Sequence, residues 1–191
     1  MLRAARFLAV AGMAAATVLP LRAAVVVAPT FEEMVREARE ILVAEAVSSR
    51  AAWRSSAQGR FIETTVTFRV DAVVKGPYTR ERSLSFLGGR IGDMRLDVSD
   101  QVQFARGDRD VLFVNPADGE VSPLVGFNHG RFRIAAGDVI LSHDGQPVGV
   151  EAGRSRGPAT LFEAPSSQGV TLNAFLAHIR ATATAAGVNL R

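Results

Sequence analysis

An alternation of apolar and polar positions is the clearest signal in this chain: from Ile62 to Val74, Ile62, Thr64, Val66, Phe68, Val70, Ala72 and Val74 interleave with Glu63, Thr65, Thr67, Arg69, Asp71 and Val73. A period of two puts one set in a core and the other in water, which predicts a β-strand. The run is about twice the usual strand length, so it is expected to coil, as strands do around a barrel. Lys75-Gly76-Pro77 ends it, and Ser83 to Leu87, closed by Gly88-Gly89, is the next strand.

Upstream, Ile41 to Val47 is apolar with β-branching and suits another strand, whereas Ser48 to Arg60 is polar and reads as a long hairpin loop. Before it, Pro29-Thr30-Phe31-Glu32-Glu33 has the form of a capping box, with Thr30 and Glu33 exchanging hydrogen bonds at the start of a short helix that reaches about Arg39. Phe31, Val35 and Ala38 share its apolar face.

The pattern weakens between Arg90 and Gly107, then Val111 to Val114 predicts a buried strand. Glycine with a small polar neighbour recurs at Asp118-Gly119, Asn128-His129-Gly130, Gly137-Asp138 and Asp144-Gly145, the chemistry of hairpin turns. These turns separate strands expected at Glu120 to Phe127, Arg131 to Ala135, Val139 to Ser142 and Val148 to Val150, an antiparallel meander. Gly153 to Gly169 lacks periodicity and reads as a connector, and Thr171 caps a last helix with Leu172, Phe175, Leu176 and Ile179 as its stripe, ending near Gly187.

Ahead of all this, Arg3 and Arg6 precede an apolar run from Phe7 to Leu21, and Ala23 is a small residue at an expected cut. That is the order of a cleavable secretory signal, so the mature protein is expected in the periplasm or secreted. A membrane anchor needs about 20 uninterrupted apolar residues, and Pro20 and Arg22 interrupt this run. Cutting 23 of the 191 residues leaves 168, and removing Arg3, Arg6 and Arg22 from the 22 basic residues leaves 19 against 19 acids. A balanced chain without basic clusters argues against nucleic acid or anionic membrane surfaces as partners. There is no cysteine, which excludes disulfides and thiolate chemistry; a chain of about 150 residues buries nearly 70% of its unfolded surface and holds one core without staples.

Candidate chemistry is sparse. Gly88-Gly89-Arg90-Ile91-Gly92 fits neither the dinucleotide fingerprint nor the P-loop, and reads as a bulge or turn. Ser142-His143-Asp144 holds three triad residue types, but neighbours on a strand point to opposite faces, so it reads as a turn. His129, His143 and His178 form no zinc-type spacing, and Asp93, Asp97, Asp100, Asp108 and Asp110 lack the calcium-loop pattern, so no metal or cofactor is expected. Trp53, the one tryptophan, stands between Arg50 and Arg54, and Trp and Arg are the commonest interface anchors. These three are the candidate partner-binding residues.

The order of Phe31-Glu32-Glu33-Met34-Val35, the strand from Ile41, Thr67 to Gly76, Gly88-Gly89, and Phe104-Ala105-Arg106-Gly107-Asp108 leading into Val111-Leu112-Phe113-Val114 resembles a group of exported bacterial proteins of uncharacterised role. It is also similar to the netrin and metalloproteinase-inhibitor modules, which are OB-type barrels. The resemblance implies an OB-like fold over roughly residues 30 to 135. The animal inhibitors block a protease zinc with an N-terminal cysteine, which this chain does not have, so only protease binding through the Ser48 to Arg60 loop would carry over.

The expectation is therefore a mainly β protein. It comprises a signal peptide (1–23), an OB-like antiparallel β-barrel with a short N-terminal helix (24–152), a connector (153–170) and a C-terminal helix (171–191). Its expected role is non-enzymatic recognition of a protein partner, an exported protease among the candidates. The alternatives are a cell-envelope enzyme with a site drawn from loops, for which His129 near a loop aspartate is the example, and a structural envelope protein docking by its last helix.

Overall fold

Thr30 and Glu33 exchange the expected bonds at the start of α1 (Phe31–Glu37): the Glu33 N–H donates to Thr30 Oγ1 at 3.2 Å and the Thr30 N–H to Glu33 Oε2 at 2.7 Å. In this computed structural model residues 28–57, 59–115, 122–150, 161–163 and 169–190 are described. The signal segment, residues 116–121 with the Asp118-Gly119 turn, and most of the connector lie outside the described residues.

The centre of the fold is one antiparallel ribbon of two 17-residue strands, β1 (Glu40–Ser56) and β2 (Gly59–Lys75). Register shifts at Ile41/Leu42, Val43/Ala44 and Ala46/Ser48 give it the extra twist that bulges introduce. β3 (Glu81–Leu87) pairs with β2, and a small hairpin of β4 (Gly89–Ile91) and β5 (Met94–Leu96) follows. On the other side of β1 come β6 (Arg109–Val114), β7 (Arg131–Ile134) and β8 (Ile140–Leu141), giving the antiparallel order β3-β2-β1-β6-β7-β8. β9 (Val148–Val150) pairs with β10 (Leu161–Glu163), which falls inside the expected connector, and α2 (Leu172–Ala185) closes the fold.

The first half of β1 is buried on both faces, which is why Ile41 to Val47 reads as a continuous apolar run rather than an alternation. Ile41 and Val43 join Val111, Phe113, Phe31, Val35, Phe175 and Ile179 under the two helices. Leu42, Ala44 and Ala46 join Leu112, Val114, Val66, Phe68, Leu84 and Phe86 on the opposite face. Each fully buried Phe or Ile contributes about 1.5–3 kcal/mol, so the helices hold to the sheet mainly through Phe31, Phe175 and Ile179. The α2 stripe is thus core. Thr171 accepts from the Ala174 N–H at the start of α2, and past its end the Val188 N–H donates to the Ala183 carbonyl.

The protein is mainly β with two helices, as expected, while β3 and β8 each have one paired neighbour in the sheet, so the coil is open among the described residues. Three local expectations need correction. Ser48 to Arg60 is not a loop: apart from the turn near Ala57 it is strand, with Ser49 opposite Val66 and Trp53 opposite Ile62. Polar residues persist there because one face is solvated and the other lines an open pocket. Within the strand expected at Glu120 to Phe127, the described part makes only an isolated bridge, Leu124 to Val114, before a 3-10 turn at Phe127–Gly130. The weakly patterned Arg90 to Gly107 stretch contains the β4–β5 hairpin.

His178 of α2 stacks on Phe31 with ring centroids 4.9 Å apart, and its Nε2 is buried without a hydrogen-bond partner. Desolvation pushes its pKa below the ordinary histidine value. The unfolded chain therefore takes up this proton first, and stability falls as pH drops through about 6.5. His178→Phe keeps the stacking and removes the orphaned nitrogen. It is expected to raise stability by about 1 kcal/mol at pH 7.5 and by more at pH 5.5. Thermal melts at the two pH values check this; an equal fall at both would contradict it.

Candidate functional site

Gly88 and Gly89 turn the chain from β3 across the inner face of the ribbon. The Gly88 N–H donates to the Ile62 carbonyl at 2.8 Å, and the Thr64 hydroxyl donates to the Gly88 carbonyl at 2.7 Å. Gly89 has φ of 133°, and a Cβ there would overlap Thr64 Oγ1 and touch Ala51 and Ile62. Glycine alone lets the backbone lie this flat on the ribbon. As expected, no helix follows Gly88-Gly89; the turn instead projects β4–β5 over the ribbon.

Between that hairpin, the ribbon and the 97–104 segment lies a pocket of about 440 Å³. Val66, Phe86 and Phe104 supply apolar lining, and Arg90, Arg95 and Asp97 are its charged residues. The volume suits a small molecule. The Arg95 guanidinium donates to Asp97 at 2.6 Å, and that of Arg90 to the Gly92 carbonyl at 2.9 Å.

The Phe104 wall is fixed from below by Arg131. This buried arginine donates to both oxygens of Asp110 at 2.8 and 3.1 Å, to Asp108 at 2.8 Å and to the Gln103 carbonyl at 2.7 Å, while its guanidinium lies 4.2 Å from the Phe104 ring centroid. Asp110 has no exposed surface, and burial pushes its carboxyl up despite the pull of Arg131. Burial pushes Asp108 up as well, but bonds from the Ala105 N–H and Arg131 outweigh it and hold that carboxyl below its usual range.

The three residues singled out from sequence do not form one patch. Trp53 lies on the pocket side, 38% exposed, with the Arg60 guanidinium 4.7 Å from its ring centroid. Arg50 and Arg54 alternate to the outer face, opposite Thr65 and Phe61, and Arg54 pairs with Glu63 at 2.9 Å. The cause is the period of two, which a loop would not impose.

His129 and His143 meet edge to face with centroids 4.7 Å apart. Burial, then the neighbouring His143, lowers the pKa of His129, against the raising influence of Asp100 and Asp144. The Ser142 hydroxyl and the Gln146 N–H both donate to Asp144, so Ser142-His143-Asp144 is the expected turn and its serine is not aimed at the imidazole. Among the described residues no group of three or more His, Asp or Glu is placed to share a metal ion. No helix among them is long and apolar enough to cross a membrane, which leaves membrane β-barrels unaddressed.

Sequence reasoning missed Arg90, Arg95 and Phe104. The available signal was Gly92-Asp93, a two-residue turn between Ile91 and Met94, which are cross-strand partners. Among known proteins, no family model, curated protein or solved structure matches this chain.

Proposed function

We propose that this chain is an exported, non-enzymatic binding module, acting in the periplasm or outside the cell. It recognises a protein partner, an exported protease being the specific version, through the free end of the β1–β2 ribbon. The observation that carries the reading is the exposed Trp53 clamped by Arg60 on a ribbon that has left the core: from Ser48 onward β1 pairs with β2 alone. A large rigid aromatic held in place by a guanidinium loses little entropy on docking, as interface anchors require. The coiled antiparallel sheet and its long hairpin support an OB-like assignment for the scaffold. Of the alternatives, an envelope enzyme has the His129–His143 pair as its geometric support. A structural role through α2 would need a stripe that is packed in the core.

Trp53→Ala tests the reading. The side chain is exposed, so the melting temperature should move by no more than a surface substitution allows, about 0.5 kcal/mol. A partner captured from exported proteins by the wild type should bind the variant at least about tenfold more weakly, a loss of roughly 1.4 kcal/mol or more. If that partner is a protease, inhibition should be lost in parallel. Unchanged affinity for the same partner would sink the proposal.

A further inference from the structure

Arg90 and Arg95 stand directly opposite each other in the β4–β5 register, and both line the pocket. Like charges in this position repel, and a hairpin joined by only Gly92 and Asp93 holds its register too firmly for them to slip apart. A sequence that breaks a local rule without a local gain does so most often where something binds. Asp97 offsets one of the two charges, and among the described residues Arg90 has no acid within ion-pair distance. The pocket edge therefore carries one guanidinium in excess, beside an apolar wall of Val66, Phe86, Val102 and Phe104. The Thr64 hydroxyl is committed to the Gly88 carbonyl and leaves the arginines as the pocket's charged donors.

We infer that this pocket binds a small amphipathic organic anion, its carboxylate or phosphate head held between Arg90 and Arg95 and its hydrocarbon body against Phe86 and Phe104. The guanidinium fork matches both head groups, which water-facing lysines would hold only as point charges. A body of about ten carbons fits within the range of volumes that small-molecule pockets occupy. The inference stands apart from the protein-partner proposal, because Trp53 plays no part in it.

Calorimetric titration of the full mature chain with decanoate, decyl phosphate and neutral decanol, all below their aggregation limits, tests it. Saturable one-to-one binding of either anion, with decanol at least tenfold weaker, is expected; the stronger anion identifies the head group. Arg90→Gln and Arg95→Gln should each weaken the anion at least tenfold while leaving decanol unchanged. Arg50→Gln, on the outer face, should leave the anion affinity where it was. Relieving the repulsion should keep both pocket variants folded, with melting temperatures at or above the wild type. Equal affinity for decanol and the anions, full binding by the doubly substituted Arg90→Gln/Arg95→Gln chain, or no saturable binding would each overturn the inference.

Discussion

Replacing Arg131 by alanine is expected to remove about 3–5 kcal/mol of stability, because it strands the carboxylate of Asp110 in a place with no exposed surface. In a domain of this size that corresponds to a fall of about 10 °C in melting temperature. The loss comes from an uncompensated charge rather than from the worth of the ion pair itself. Arg131→Met combined with Asp110→Leu should therefore recover most of it, and urea unfolding of the single and double variants separates the two accounts. If the single variant loses less than about 1 kcal/mol, the buried network is not holding the sheet to the 103–108 segment. Arg131→Lys is expected to fall in between, since an ammonium can neither fork onto Asp110 nor stack on Phe104.

Gly89→Ala should cost about 2–4 kcal/mol, from a left-handed backbone strained by a side chain and from the overlap with Thr64 Oγ1. The overlap part is separable. Thr64→Ala removes the opposing hydroxyl, so the double variant should be more stable than the two single losses predict, by 1 kcal/mol or so. Gly92 provides the control: a Cβ there meets open space, and alanine carries only the backbone penalty of about 1–2 kcal/mol. Thermal melts of the four variants check this, and equal losses at Gly89 and Gly92 would show that the close approach to the ribbon carries no weight.

What was legible in the sequence was what is local. The Thr30–Glu33 box, the strand from Ile62 to Val74 and the Phe175/Ile179 stripe each appear where their spacing predicts, but the two-faced alternation holds only to Val70: register shifts beyond it leave Ala72 exposed and send Val73 and Val74 into opposite hydrophobic layers. The Ser48 to Arg60 stretch reads as a loop from sequence because its polar residues carry no apolar period. A ribbon whose inner face lines a pocket and whose outer face carries Thr65–Ser85 and Thr67–Ser83 hydroxyl pairs leaves little apolar trace. Arg131 and Asp110 look like surface charges in the sequence, and only the pairing of β6 with β7 brings them together in the core. Trp53 stood out by its rarity, but its company did not, since Arg60 faces it across the ribbon while the adjacent Arg54 turns away. The pocket draws on the β1–β2 ribbon, the β3–β5 region and the 97–104 segment, none of which carries a motif by itself.

The ribbon also divides one pair of strands into two regimes of local opening. Its inner half, Ile41 to Ala46, is sealed between two hydrophobic layers and separates only when the whole domain unfolds. Its outer half, Ser48 to Ser56, is held by one ladder and fraying there exposes few apolar contacts, so its amides open at a fraction of the global free energy. The outer half can therefore accumulate substitutions at little cost to the fold that carries it.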